Sequence, residues 1–336
     1  MLKPHLFLLL LISLLAFPLS ACAQVAAVEQ TAPGTADATA PEAVPVFADT
    51  LWLANGTIKL GVSPSVGRIT WFGYAEGENL LWINPDTVDT PPDGDPLAWI
   101  NYGGDKLWPS PQPLWPYFLP HGKNWPPDGT IDGEAWHVLR RDADSIRLRS
   151  PYSPVFGGHL DRTIEYVPNE RDNRSTKVRI TNRLVRTNAS AMPAQAWTVT
   201  QTRPADEVWL EDASGGRLTD GWIGLDGTEK FGDDVQAGGG FVRWINQPAG
   251  EVYKKLGTLG GEISARYGDT VFSQRHRFVA SGSYPEHSSL QLYVAGDYIE
   301  LEMLSPMQPL LPGETLTHVV EWSLNLIENP SDAEPR

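Results

Sequence analysis

From about residue 49 onward apolar residues recur at every second position, in short runs broken by glycine, proline and asparagine, and no window of a dozen residues keeps a helical stripe. A strand sends successive side chains to opposite faces, so this period gives each run one face for a core. The domain is expected to be nearly all β. Residues 57–62 and 66–72 read as a hairpin around a Ser-Pro turn. Residues 145–149, 160–166 and 176–180 read as strands with largely Arg and Lys outward, the last two joined through a turn at Asp172-Asn173. The pattern continues at 196–202, 208–210, 221–225, 241–245 and 270–278, and closes with 290–294, 299–303 and 319–324. At least a dozen strands in one domain predict two large antiparallel sheets packed face to face. Sheets that wide curl, and loops gather at the mouth of the concave face, where a ligand would lie.

One stretch breaks the period. Residues 103–136 hold four of the thirteen tryptophans, at 108, 115, 125 and 136, and seven prolines, at 109, 111, 113, 116, 120, 126 and 127. Proline removes the backbone donor that a helix or an inner strand needs, so a long stiff loop is expected here. Its indoles, each an apolar face with an N–H at the edge, suit packing on a sheet or stacking on a sugar ring.

Residues 1–22 have the form of an export signal: Lys3, an apolar run, then Leu19-Ser20-Ala21-Cys22 in the pattern of a bacterial lipobox. Cleavage after Ala23 is the alternative. Cys22 is the only cysteine, so lipidation there is the expected reading, and the mature domain holds no disulfide. Residues 23–48, rich in Ala, Thr, Pro and Glu, form a disordered tether, residues 49–328 a single domain, and 329–336 a tail. The expected location is the cell envelope, as a membrane-anchored lipoprotein on the periplasmic face or outer membrane. A formal charge of −15 argues against nucleic acid as a partner.

The run Gly103-Gly104-Asp105-Lys106-Leu107-Trp108-Pro109, with Gln112, Trp125-Pro126-Pro127-Asp128, Trp197-Thr198-Val199-Thr200-Gln201, Glu300-Leu301-Glu302, Leu311-Pro312-Gly313-Glu314 and Glu321-Trp322, resembles the bacterial DUF4380 family, whose function is unassigned. That family is similar to galactose mutarotase-like proteins, among them the aldose epimerases, and the resemblance implies an all-β, β-supersandwich domain. Aldose epimerases carry a general base as a glutamate on a late strand before a proline-glycine-glutamate turn, and Glu302 matches it. Their general acid is a histidine in an Asn-His-x-Tyr-Phe pattern on a middle strand. Here Ile180-Thr181-Asn182 and residues 197–202 occupy that part of the chain without one.

Beside Glu302, the candidate ligand-binding residues are Arg68, Asp105, Lys106, Trp108, Trp125, Gln201 and Glu300. For each a structural role stands next to the functional one. Asp105 and Lys106 either bond sugar hydroxyls or form an ion pair that pins the loop. Arg68 and Gln201 either line the concave face or satisfy buried backbone. Glu300 and Glu302, two apart on a strand and about 7 Å apart at Cα, either share a site or both face solvent. The histidines show no metal-ligand spacing, and neither metal nor cofactor is expected. The expected function is carbohydrate binding; the alternatives are a carbohydrate-active enzyme using Glu302, by proton transfer or polysaccharide cleavage, and a non-catalytic envelope structural or interaction protein.

Overall fold

The computed structural model describes residues 45–91, 98–168, 176–228, 232–246 and 253–328. The expected export signal with Cys22, most of the expected tether, the expected tail and the expected Asp172-Asn173 turn lie outside the described residues. Two antiparallel sheets account for the strands. The first orders β1 (Leu51–Ala54), β2 (Ile58–Ser63), β3 (Arg68–Tyr74), β4 (Asp105–Ser110), β9 (Gln195–Thr202), β18 (Ile299–Leu304), β17 (Leu290–Val294), β14 (Lys254–Thr258) and β11 (Ile223–Leu225). The second orders β12 (Val235–Gly238), β13 (Phe241–Ile245), β10 (Glu207–Glu211), β15 (Glu262–Tyr267), β16 (Thr270–His276), β19 (Thr315–Leu326), β8 (Lys177–Arg186), β7 (Gly158–Tyr166), β6 (Ser145–Arg149) and β5 (His137–Arg141).

The alternation places Ile58, Leu60, Phe72, Leu107, Leu301 and Met303 of the first sheet in one core with Leu160, Ile164, Ile180, Phe272 and Trp322 of the second. Phe72, Phe272 and Trp322 meet there with ring centroids 5.1 to 5.2 Å apart. The expected hairpin is β2 and β3. Its turn is a 3₁₀ segment, Pro64–Val66, closed by Gly67 at φ 61°. A Cβ at Gly67 would lie 2.4 Å from the Trp136 indole, so only glycine fits there.

The proline-rich stretch is not wholly loop. Residues 105–110 form β4, which pairs with β9 along its length, Pro109 opposite Ala196, but meets β3 only at Ile69↔Asp105. Past Asp105 the strand is effectively an edge, where a missing N–H costs no ladder bond. The remainder carries two short helices, α1 (Trp115–Phe118) and α2 (Gly129–Asp132), the latter capped by Asp128 accepting from the Thr130 N–H at 3.1 Å. The rule of outward Arg on 160–166 also fails at one position. Arg162 is buried and crosses to the first sheet, where it pairs with Asp105.

Candidate functional site

Because β4, β9, β18, β17 and β14 are neighbours in register, their alternation decides which side chains leave the core. Lys106 and Trp108 on β4, Trp197, Val199 and Gln201 on β9, Glu300, Glu302 and Leu304 on β18, Gln291 and Tyr293 on β17, and Lys255 on β14 share the outer face of the first sheet. Residues 111–128 fold over this face. Trp108, Trp115, Leu119, Trp197, Val199 and Leu304 form a second apolar cluster between loop and sheet. Trp99 and Trp125 close it, with Trp125 5.7 Å from Trp108 and 4.7 Å from Trp99, both edge to face.

The loop does not seal the sheet. Trp99, Trp108, Trp125 and Trp197, with Tyr293 and Tyr298, wall a cleft of about 290 Å³ whose polar lining is Gln112, Asp226, Lys255 and Glu300. Around it the polar groups interlock. Glu300 Oε1 accepts from Gln201 Nε2 at 2.8 Å and lies 3.5 Å from Lys106 Nζ. Glu302 Oε2 accepts from the Trp197 indole at 2.7 Å, while Lys255 Nζ stands 3.2 Å from its Oε1. That ammonium is the one cationic partner of Oε1, while Gln201 Oε1 and Gln291 Oε1 are buried acceptors without a protein donor among the described residues. Burial raises the Glu302 carboxyl well above the usual carboxylate range, against the pull of Lys255. Burial also works against the Lys255 charge, but the carboxylates of Glu302, Asp226, Glu286 and Glu300 outweigh it and hold the ammonium charged. Lys106 is lowered to about 8, chiefly by burial.

Of the sequence-predicted residues, Trp108, Trp125 and Glu300 line the cleft. Lys106 and Gln201 lie beneath it, bound to Glu300. Glu302 is 0 % exposed and does not line the cleft; it is a carboxyl held under the floor. The expectation that Glu300 and Glu302 both face solvent fails at Glu302, which is buried against Lys255 and the Trp197 indole, while Glu300 opens onto the cleft. Arg68 and Asp105 do not line the cleft either. Arg68 bonds Gly103 O at 2.9 Å and Asp132 Oδ1 at 2.8 Å. Asp105 points into the sandwich, to Arg162 and to the Thr200 hydroxyl at 2.8 Å. The ion pair foreseen for Asp105 exists, but with Arg162 of the other sheet. Sequence reasoning missed Asp132, a buried carboxylate taking Arg68, the Trp108 indole at 2.7 Å and the Trp99 indole at 3.0 Å, which fixes two walls of the cleft. It also missed Lys255 and Tyr293, which sit on ordinary-looking strands, and Tyr298 just before β18, none of which carried a motif.

No family profile matches the sequence, and no curated protein matches it. Solved structures do match in fold. A candidate aldose 1-epimerase from Escherichia coli K12 is 13 % identical, covers 83 % of this chain and 99 % of its own, and superposes with a TM-score of 0.51. The fold is the galactose mutarotase-like supersandwich. A galactose mutarotase related enzyme from Lactobacillus acidophilus (11 % identity, 82 % and 97 % coverage, TM-score 0.53) and a galactose mutarotase-like protein from Lactobacillus casei (11 %, 82 % and 100 %, 0.52) share it. In this chain the supersandwich face bearing Glu302 is the one the tryptophan-rich loop covers.

Proposed function

We propose that the chain is an exported, lipid-anchored carbohydrate-binding protein of the DUF4380 group, holding a sugar in the cleft beneath the tryptophan-rich loop. The observation that carries this reading is the lining: four indoles and two phenols around Gln112, Asp226, Lys255 and Glu300. Pyranose rings offer apolar C–H faces to indoles and a rim of hydroxyls to such polar groups. At about 290 Å³ the cleft is at the lower end of ligand-site volumes, the scale of one sugar ring. The test is a glycan array probed with residues 49–336, alongside Trp125→Ala. Trp125 is 36 % exposed, so its truncation should weaken sugar binding about 5-fold, for the ~1 kcal/mol of one aromatic contact, and lower thermal stability by the loss of its contacts with Trp99 and Trp108 without unfolding the protein. Failure of the unaltered protein to bind any sugar overturns the reading.

One observation favours a second reading, proton transfer on a sugar: a buried carboxyl held partly protonated, 3.2 Å from an ammonium, is the kind of perturbed pair found at catalytic sites. Glu302→Gln separates the two. Binding kept with lost mutarotation of D-glucose or D-galactose, followed by polarimetry, supports catalysis. Absence of any mutarotation in the unaltered protein leaves binding.

A further inference from the structure

The cleft is not where the aromatic surface ends. Tyr298 lies two residues before Glu300 on the same face, and its ring packs on Trp82 with centroids 4.6 Å apart. Tyr293, opposite Glu300 on the neighbouring strand, is 6.4 Å from Tyr298. Tyr253, just before β14 and two residues ahead of Lys255, lies 6.2 Å from Tyr293, its ring 15° from parallel. Four rings, three of them just outside the strands, therefore follow one another, and the middle two also wall the cleft. The outermost, Tyr253, is 71 % exposed. A lone exposed aromatic is ordinary on a protein surface; one that ends a row of rings leading out of a ligand-sized cleft is a platform.

We infer that the cleft is the terminal subsite of a longer groove, and that Tyr293 and Tyr253 carry the following residues of a neutral glycan chain whose end unit sits beneath Trp125. The inference rests on the carbohydrate reading above and narrows it from a sugar to an oligosaccharide. From Tyr298 to Tyr293 to Tyr253 the ring centroids follow at 6.4 and 6.2 Å, a continuous apolar surface on which successive sugar rings can pack. Charge selects the class. Lys106 is paired with Glu300, and Lys255 with Glu302 and, at 3.9 Å, Asp226, so both cations beside the cleft already have acidic partners. An acidic chain would meet Asp226 and Glu300 instead.

The test is calorimetric titration with D-glucose, D-galactose, D-mannose and N-acetyl-D-glucosamine, the neutral homo-oligomers of each with two, four and six units, and oligogalacturonate of the same lengths. Affinity should rise at least 5-fold from one unit to four in a neutral series, with no gain for oligogalacturonate. Tyr253→Ala should remove most of that gain and leave monosaccharide affinity unchanged; its exposure makes the variant safe to fold, checked by thermal melting. A monosaccharide that binds with no gain on lengthening, or a gain that survives Tyr253→Ala, overturns the inference while the carbohydrate reading stands. Tighter binding of oligogalacturonate than of every neutral series overturns the charge argument and the inference with it. No binding by any of these probes overturns both.

Discussion

Asp105 and Asp132 show how a buried carboxylate that does not line the cleft can serve the fold. Asp105 sits between the sheets, salt-bridged to Arg162, whose Nε bonds Asn182 Oδ1 at 3.0 Å. Removing one charge leaves the other buried and unpaired, so Asp105→Asn should cost about 3–5 kcal/mol of unfolding free energy, read as a lower urea midpoint. Sugar affinity of the remaining folded protein should be unchanged. Asp132 couples stability to the site. Asp132→Asn should lower the midpoint through Arg68 and also weaken sugar binding, because the Trp99 and Trp108 indoles lose their anchor. The sequence distinguishes these acids from Glu300 only through the register, since alternation states that Asp105 and Lys106 face opposite ways but not which way is inward.

Among the elements, the turn joining β2 to β3 and the pairing of β16 with β19 have measurable consequences. Gly67→Ala would force a Cβ against Trp136 at a positive φ, which should lower stability by ~1–3 kcal/mol and change the near-ultraviolet circular dichroism of the indoles. Where β16 meets β19, His276 Nδ1 lies 2.8 Å from His318 Nε2, and His276 Nε2 is 3.1 Å from Gly260 O. A carbonyl only accepts, so His276 Nε2 carries a proton and donates to it; His318 Nε2–H then donates to His276 Nδ1. Burial lowers His276 to about 4 and His318 well below 6.5. The unfolded chain takes up both protons near pH 6.5 while the folded chain resists, so stability is full above that pH and falls as pH drops toward 4. Melting temperature against pH should show this decline, and His318→Leu should flatten it. The pair was invisible in sequence because its members lie 42 positions apart.

For the whole chain, export and lipidation at Cys22 remain the proposal that sets where the cleft works. Cys22→Ala should move the protein from the membrane fraction to the soluble fraction of its cells, followed by immunoblot, while residues 49–336 alone keep their sugar affinity. Equal membrane retention of the variant would defeat the anchor.

The class of fold was legible because strand periodicity is a local property: each run names its own two faces, and most strands fell where alternation put them. β4 was misread since its prolines are forbidden only where a ladder exists on both sides, and that depends on β3 turning away. The cleft needed more than periodicity. Glu300 and Trp108 belong to it, and Asp105 and Arg68 do not, because the register of distant strands sets which side of a sheet each faces and what covers it. Tyr253 with Lys255, and Tyr293, come from segments about forty residues apart in the chain, brought side by side by strand pairing. Sequence alone therefore determined that there would be two sheets and an aromatic cover. Only the tertiary structure decided which charges lie under that cover, because burial and partnership are properties of neighbours in space and the chain order does not record them.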